Sequence, residues 1–328
     1  MDRCLSSVLT VESPSFEIIF VDNGSTDGGL ERIKKTFETN PKLRIVETGT
    51  NLGASAGRNI GAKLAQGDYL AFLDPDTEVD SQWLAEAIAF MRRCPSVGAV
   101  QCKLLLMSDR SKLDYVGDFL SQFGFLVQRR PLGYLDDNTT QKTAIVFGVK
   151  SAGMVIRRDL FRSVGMFDED FFIYMEETDL CWRVWLSGFQ VAYAPLSIVY
   201  HDFGGLQKLT SPRTKFLAKY HGTKNYITTI LKDAGGYSMV KIVPIHVASW
   251  LGIMLWHFGR RRPSEGIWIL RGMTYNLRNF GHIWKKRFVT QHFVRHVSDD
   301  KILPSIMTKV SPMYLYRKAT EEGSGWKL

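Results

Sequence analysis

The sequence predicts an α/β fold, a parallel sheet flanked by helices, followed by a basic helical extension. Three observations carry this. Apolar runs of strand length alternate with helical patterns three times near the start of the chain, joined by short polar loops. Charge divides sharply: residues 1–206 hold 21 Lys+Arg and 27 Asp+Glu, net −6, while residues 207–328 hold 21 and 6, net +15. The basic part also contains a 17-residue segment, Ile242 to Phe258, without Asp, Glu, Lys or Arg. The expected domains are therefore 1–206 and 207–328.

Composition narrows the class. The chain has 328 residues, 45% hydrophobic and 12% aromatic, which excludes intrinsic disorder and supplies enough apolar material for a core. Its 4 cysteines, Cys4, Cys94, Cys102 and Cys181, show no CxxC spacing and read as reduced thiols of a reducing compartment rather than a disulfide framework. Met1-Asp2-Arg3 is not followed by the apolar stretch of a signal peptide, so the expected location is cytoplasmic.

Along the chain, Leu5, Val8 and Leu9 give Asp2 to Leu9 a helical spacing that Glu12-Ser13-Pro14 ends. Phe16 to Val21 is an apolar run of strand length, closed by Asp22-Asn23-Gly24-Ser25-Thr26-Asp27-Gly28-Gly29, which can turn the chain and cap a helix from Leu30 to Glu38. Leu43 to Glu47 predicts a second strand, with Gly49, Asn51 and Gly53 leading to a helix through about Ala65. Tyr69 to Leu73 predicts a third strand, stopped by Asp74-Pro75-Asp76. Val97 to Leu106 is strand-like, and residues 108–143 form a polar excursion expected to lie over the site. Ala144 to Val149 and Met154 to Ile156 frame Ser151-Ala152-Gly153. A helix is expected from Glu176 to Leu186, with three carboxylates in its first turn, where the helix dipole favours negative charge. Short strands at Val191 to Ala194 and Ile198 to Tyr200 lead to His201.

Ligands of such sheets bind beyond the carboxyl ends of the strands, where acidic residues cluster here. Each Asp-rich turn alone is ordinary turn chemistry; two of them ending two strands point to a site. The sequence contains neither GxxxxGK[ST] nor GxGxxG, which argues against a Walker or a dinucleotide site. Two aspartates one residue apart, as in Asp74-Pro75-Asp76, suit a hard divalent cation that also touches phosphate oxygens.

Taken together, Val21 to Gly28, Asn51 to Gly61, Asp74-Pro75-Asp76, Phe167-Asp168-Glu169 with Phe171-Phe172, Glu176 to Arg183 and His201 resemble the family 2 inverting glycosyltransferases of the GT-A fold, particularly the rhamnosyltransferase-like members. The resemblance covers about residues 1–206 and implies a mixed, mainly parallel sheet. It implies that Asp22 contacts the nucleotide base, that Arg58 and the Asn51 loop hold the nucleotide diphosphate, and that Asp74 contacts the ribose. Asp76 and His201 would hold Mg²⁺ or Mn²⁺, although a lone histidine also reads as a hydrogen-bonded structural residue. The family's general base maps to Glu177. The usual Glu-Asp motif reads Glu176-Glu177 here, so Asp179 and Glu176 stand as alternates, and a helix-capping role is open for each. The family also opens with a strand and turn that wall the base pocket, and this chain starts at the following helix.

For the extension three readings stand: a helix lying in the cytoplasmic leaflet, a true span, and a buried core helix. Pro244, His246 and His257 weaken a span, and Arg260-Arg261-Arg262 would then lie across the membrane from the body. Aromatics from Trp268 to Phe293 are interleaved with cations, which suits anionic lipid; RNA is the weaker alternative because no RNP-like, KH or zinc motif accompanies them. The expected function is metal-dependent transfer of a sugar, with rhamnose a candidate, from a nucleotide-diphosphate donor to a glycan or lipid-linked acceptor at the inner face of the membrane, in cell-surface polysaccharide synthesis. The alternative is a non-catalytic, degenerate relative that binds glycans or acts as a scaffold.

Overall fold

The computed structural model describes residues 1–13, 15–202 and 211–314, so the boundary expected at 206/207 lies outside the described residues. The chain opens with α1 (Asp2–Leu9), β1 (Ile18–Asp22), α2 (Gly29–Phe37), β2 (Leu43–Glu47), α3 (Ala54–Leu64) and β3 (Tyr69–Phe72). Then follow β4 (Thr77–Val79), α4 (Trp83–Arg93) and β5 (Val97–Leu106). The excursion is not structureless: it carries β6 (Asp109–Tyr115), β7 (Asp118–Ser121) and β8 (Leu126–Gln128). After β9 (Ala144–Ile145) come β10 (Met154–Arg157), α5 (Arg158–Ser163), α6 (Glu176–Leu186) and β11 (Gln190–His201).

The sheet is mixed, but it is not mainly parallel. Seven strands form one sheet with the path β3-β10-β5-β11-β4, to which β6 adds on β5 and β9 on β11. Within it only β5 and β11 pair in parallel; β3 and β5 both run antiparallel to β10, and β4 antiparallel to β11. The reason is the connections. β1 and β2 flank helix α2, and the connection from β5 to β11 includes α6; both pairs are parallel. β10 instead enters from the long excursion and can run the other way. β1 and β2 form their own two-stranded sheet, so the third expected parallel strand, β3, does not join them, and each of β1 and β3 has a single strand partner among the described residues. The two short strands expected before His201 are one strand with a register shift between Ala194 and Ile198, at Pro195, which has no N–H to give the ladder.

β5 is buried along nine of its ten residues, which explains its largely apolar pattern, interrupted only by Gln101 and Lys103. One face of the sheet packs Phe161, Trp182, Leu186 and Tyr193, the other Trp83, Ala87 and Met91 of α4. Lys103, 1% exposed on β5, bonds Asp136 at 2.9 Å and Gln141 at 3.1 Å and so fastens the excursion to the sheet.

The basic extension forms α7 (Pro212–Asp233), α8 (Gly236–Gly259), α9 (Pro263–Arg278), α10 (Phe280–Val289) and α11 (Asp299–Ile306), then β12 (Met307–Thr308), which pairs in parallel with β7. Ser211 caps α7 through its Oγ on the Thr214 N–H, with Pro212 at the first helical position. Phe125, Phe171 and Met175 of the body share a core with Tyr226, Ile227, Trp250 and Ile269 of these helices. Charge also crosses the junction: buried Lys232 pairs with Asp168 at 2.8 Å and with Asp179, which Arg183 also binds. Removing one partner of a buried pair strands the others without solvent. Lys232→Met should therefore lower unfolding free energy by about 3 kcal/mol, read from urea denaturation with an unchanged m-value.

Candidate active site

The loops after β1 and β2 are fastened to one another. Asp22, 5% exposed at the end of β1, accepts from the Gly24 and Ser25 N–H groups, each at 3.2 Å, so its carboxylate builds the turn. Asn23 donates to Gly53 O at 3.0 Å and to Asn51 Oδ1 at 3.3 Å, while its own Oδ1 accepts from Leu52 N at 2.9 Å. Asn51 in turn accepts from Gly53 N at 2.9 Å. Gly24 has φ +74°, and a Cβ there would lie 2.6 Å from Thr50 C, so glycine is required.

Arg58 on α3 joins two further segments. Its Nη2 donates to Asp74 Oδ1 at 3.0 Å, and its Nη1 to Glu176 Oε1 at 2.7 Å. The guanidinium expected at a diphosphate thus spans two carboxylates, and an incoming phosphate has to share it with them. Asn59, one residue on and buried, holds the next loop: it donates to Phe167 O at 2.9 Å and accepts from Phe167 N at 3.1 Å. That loop is strained. Phe172, Tyr174 and Met175 have φ of +64°, +69° and +70°, a region costing non-glycine residues about 1 kcal/mol or more each. Its carbonyl at Phe172 accepts from Ala54 N, in the first turn of α3, at 2.6 Å.

The loop delivers α6 with its three acidic residues, which the structure separates. Glu177, partly buried, accepts at Oε1 from Ser151 N at 3.0 Å and Ser151 Oγ at 2.5 Å. Glu176 is 3% exposed and bound to Arg58; burial and the Glu177 charge push its carboxyl up, and Arg58 works against them. Asp179 is fully buried and bound by Arg183 Nη2 at 2.6 Å and by Lys232. Asp179 and Glu176 are thus both buried and ion-paired, whereas Glu177 is partly exposed.

Asp74, Asp76 and His201 come together, with one donor atom from each lying within 4.8 Å of the others. His201 sits 3.5 Å from Asp76 Oδ1 by Nε2 and 2.7 Å from Asp114 Oδ2 by Nδ1. Burial, which by itself lowers the imidazole pKa, is outweighed by hydrogen bonds to Asp114 and Asp76, and it rises to about 9. Only the neutral imidazole can ligate a cation, so a metal at this position would have to displace that proton. Two carboxylates and one imidazole fit Mn²⁺ well and Mg²⁺ less readily, since the imidazole is the softer ligand. Asp114 fixes the ring through its other nitrogen, as ligand-orienting carboxylates do.

Sequence reasoning missed Asp114 and Ser151. Asp114 lies in β6 with nothing local to mark it, and Ser151 is marked only by the small-residue triplet between two strands.

Residues 1–165 match the family model described as glycosyl transferase family 2. The chain belongs to glycosyl transferase family 2. Among its family 2 relatives, the O-antigen biosynthesis protein RfbC of Myxococcus xanthus is 29% identical over 214 residues, 63% of this chain and 16% of that protein. The poly-beta-1,6-N-acetyl-D-glucosamine synthase of Staphylococcus epidermidis is 25% identical over 210 residues, 62% of this chain and 48% of that one. The matched region thus spans less than half the length of either relative. The mannosyltransferase of Pyrobaculum calidifontis, solved with GDP-Man and Mn²⁺, superposes with a TM-score of 0.53 at 15% identity, covering 84% of this chain and 82% of that one. GalNAc-T7, solved with UDP, GalNAc and Mn²⁺, gives 0.51 at 16% identity, covering 79% and 55%. These likenesses show the GT-A fold, with a mixed sheet flanked by helices.

Gly53 tests the packing of the site. At φ +87°, a Cβ would lie 2.6 Å from both Phe172 Cδ2 and Phe172 O. Gly53→Ala should destabilise the fold by about 2 kcal/mol, seen as a lower Tm, because both the backbone and the strained loop must shift.

Proposed function

We propose that this family 2 chain is an inverting glycosyltransferase that moves a sugar from a nucleotide-diphosphate donor to a hydroxyl of a glycan or lipid-linked acceptor, in the synthesis of a cell-surface polysaccharide. The observation that carries the reading is Arg58, which ties the Asp74-Pro75-Asp76 loop to Glu176 and so gathers the acidic cluster and the neighbouring Glu177 around one site. The O-antigen and polysaccharide-synthase names of the relatives support a polysaccharide product.

In this reading Asp22 contacts the nucleotide base, Asp74 meets the ribose, and Arg58, which exchanges a carboxylate for phosphate oxygens, holds the diphosphate together with the Asn51 loop. Asp76 and His201 would hold Mg²⁺ or Mn²⁺, and the Mn²⁺ in both structural neighbours supports that. A bound cation would offset the charge that develops on the departing diphosphate. Glu177, oriented by Ser151, takes the proton from the acceptor hydroxyl as its oxygen attacks the anomeric carbon; the bond to the diphosphate breaks on the opposite face, which inverts the centre. Glu is one methylene longer than the usual Asp at this position, and the two bonds from Ser151 draw it back into a defined orientation.

The same reading puts the chain on the inner face of the membrane. α8 docks one stripe, Ile242, His246 and Trp250, on the body and turns Tyr237, Val240, Ile245, Leu251, Leu255 and Phe258 outward. Leu255 is 63% exposed and Tyr237 75%, a continuous apolar stripe that a water-facing helix does not carry. Only 22% of its most apolar window is buried, which argues against a core helix, and one docked face suits a helix lying in the leaflet better than a free span.

Glu177→Gln should lower kcat by about 10²- to 10⁴-fold while leaving donor binding by calorimetry intact, and Asp76→Ala should abolish turnover with Mn²⁺ or Mg²⁺. Full activity in both variants would remove the assignment, and the donor panel should begin with nucleotide-diphospho-rhamnose. Flotation on vesicles containing anionic lipid should be lost in Leu255→Glu with Arg260 and Arg261 changed to alanine; retention on competing RNA without flotation would overturn the membrane reading.

A further inference from the structure

Asn225, in the middle of α7, is fully buried against the loop that leads into α6. Its Nδ2 lies 3.1 Å from Phe171 O, 2.9 Å from Ile173 O and 2.7 Å from Tyr174 O. Three carbonyls around one terminal atom require the amide nitrogen there, which settles the orientation of the side chain. Its neighbours on α7 and α10 grip the preceding residues. Lys224 donates to Asp170 O at 2.6 Å, Lys232 to Asp168 Oδ2 at 2.8 Å, and His282 and Lys286 each meet Asp170 Oδ2 at 2.6 Å.

What these groups hold is the segment least able to keep its own shape. Three of the four residues from Phe172 to Met175 occupy the left-handed region, and none of them is glycine. Such a run persists only where its surroundings over-determine it. The segment runs without a break into Glu176 and Glu177, and on its other side Phe172 O receives Ala54 N of α3.

We propose that Asn225 is a positioning residue for glycosyl transfer: by taking the carbonyls of Phe171, Ile173 and Tyr174 with one amide, it templates the loop that sets where the first turn of α6 presents Glu177. The inference rests on the reading of Glu177 as the base. It assigns to the basic extension a part in the chemistry, acting through the loop and without touching the reacting atoms. A base displaced by about 1 Å loses rate, while the donor, held by the loops after β1, β2 and β3, binds as before.

The variant Asn225→Asp keeps the size of the side chain and replaces its donors with oxygens facing three carbonyls. The control is Asn276→Ala, which removes bonds between α9 and α7, to Thr228 Oγ1 at 2.8 Å and Lys224 O at 3.1 Å, without touching the loop. Both are compared with the wild-type full chain by hydrogen exchange over residues 168–177 and by steady-state kinetics. Asn225→Asp is expected to speed loop exchange and lower kcat by about 10- to 100-fold, with the donor KM within about twofold. Asn276→Ala is expected to lower Tm yet keep wild-type loop exchange and kcat. Unchanged loop exchange in Asn225→Asp, faster exchange with wild-type kcat, or an equal kcat loss in Asn276→Ala would each overturn the proposal. If Asn225→Asp does not fold, Asn225→Ser, which retains one donor, is read by the same criteria. Absence of any transfer by the wild type would refute the reading of Glu177, while loop exchange would still report whether Asn225 holds the loop.

Discussion

A helix whose first turns carry three carboxylates can be buried only if each one is met by a partner, and the rest of this structure follows from how α6 meets that demand. Glu176 draws in Arg58 from α3, Glu177 draws in Ser151 ahead of β10, and Asp179 draws in Arg183 from the next turn and Lys232 from α7. Three segments remote in sequence are fixed around one helical turn. The helix dipole favours acidic residues at an N-terminus, but it contributes at most about 2 kcal/mol, less than desolvating a carboxylate costs. Directed partners, rather than the dipole, make the burial of this turn tolerable.

These partners also sort the carboxylates by their surroundings. Asp179 is committed to two cations and has no solvent access, so it is structural. Glu176 spends its charge on Arg58, through which the site feels Asp74. Glu177 is held by neutral donors, a backbone N–H and a hydroxyl, which orient it without an ion pair and suit the role of base proposed for it. The division of charge along the chain acquires a physical meaning at the same place. The acidic body concentrates Asp168, Asp170 and Asp179 where α7 and α10 bring Lys232, His282 and Lys286, so part of the positive charge of the extension is met by the body, while Arg260 and Arg261 are exposed.

Much of the fold was legible. α1, β2, β5 and α6 have the bounds that their apolar spacing and end signals predict, because each is decided by local pattern: a helical stripe, a mainly apolar run of strand length, an acidic first turn. Strand direction was not legible. A run such as Tyr69 to Phe72 looks the same whether its neighbour is parallel or antiparallel, and here the neighbour is β10, more than eighty residues later. The site was legible where residues are adjacent in sequence, as in Asp74-Pro75-Asp76, and opaque where a single residue arrives from afar. Asp114 is one polar residue in an ordinary strand until the sheet sets it 2.7 Å from His201.

By itself the sequence determined the alternation of elements, the split of charge along the chain, the uncharged apolar stretch within α8, and the acidic motifs that mark family 2. Tertiary structure alone decided which carboxylates are buried in ion pairs and which stays partly exposed, that the sheet runs mainly antiparallel, and that the basic helices grip the loop leading into α6. The physical reason is one of range. Periodicity, turn chemistry and capping act over a few residues and leave their mark in order, whereas desolvation and ion pairing depend on which remote side chains the packed core brings within about 3 Å, and no local pattern encodes that.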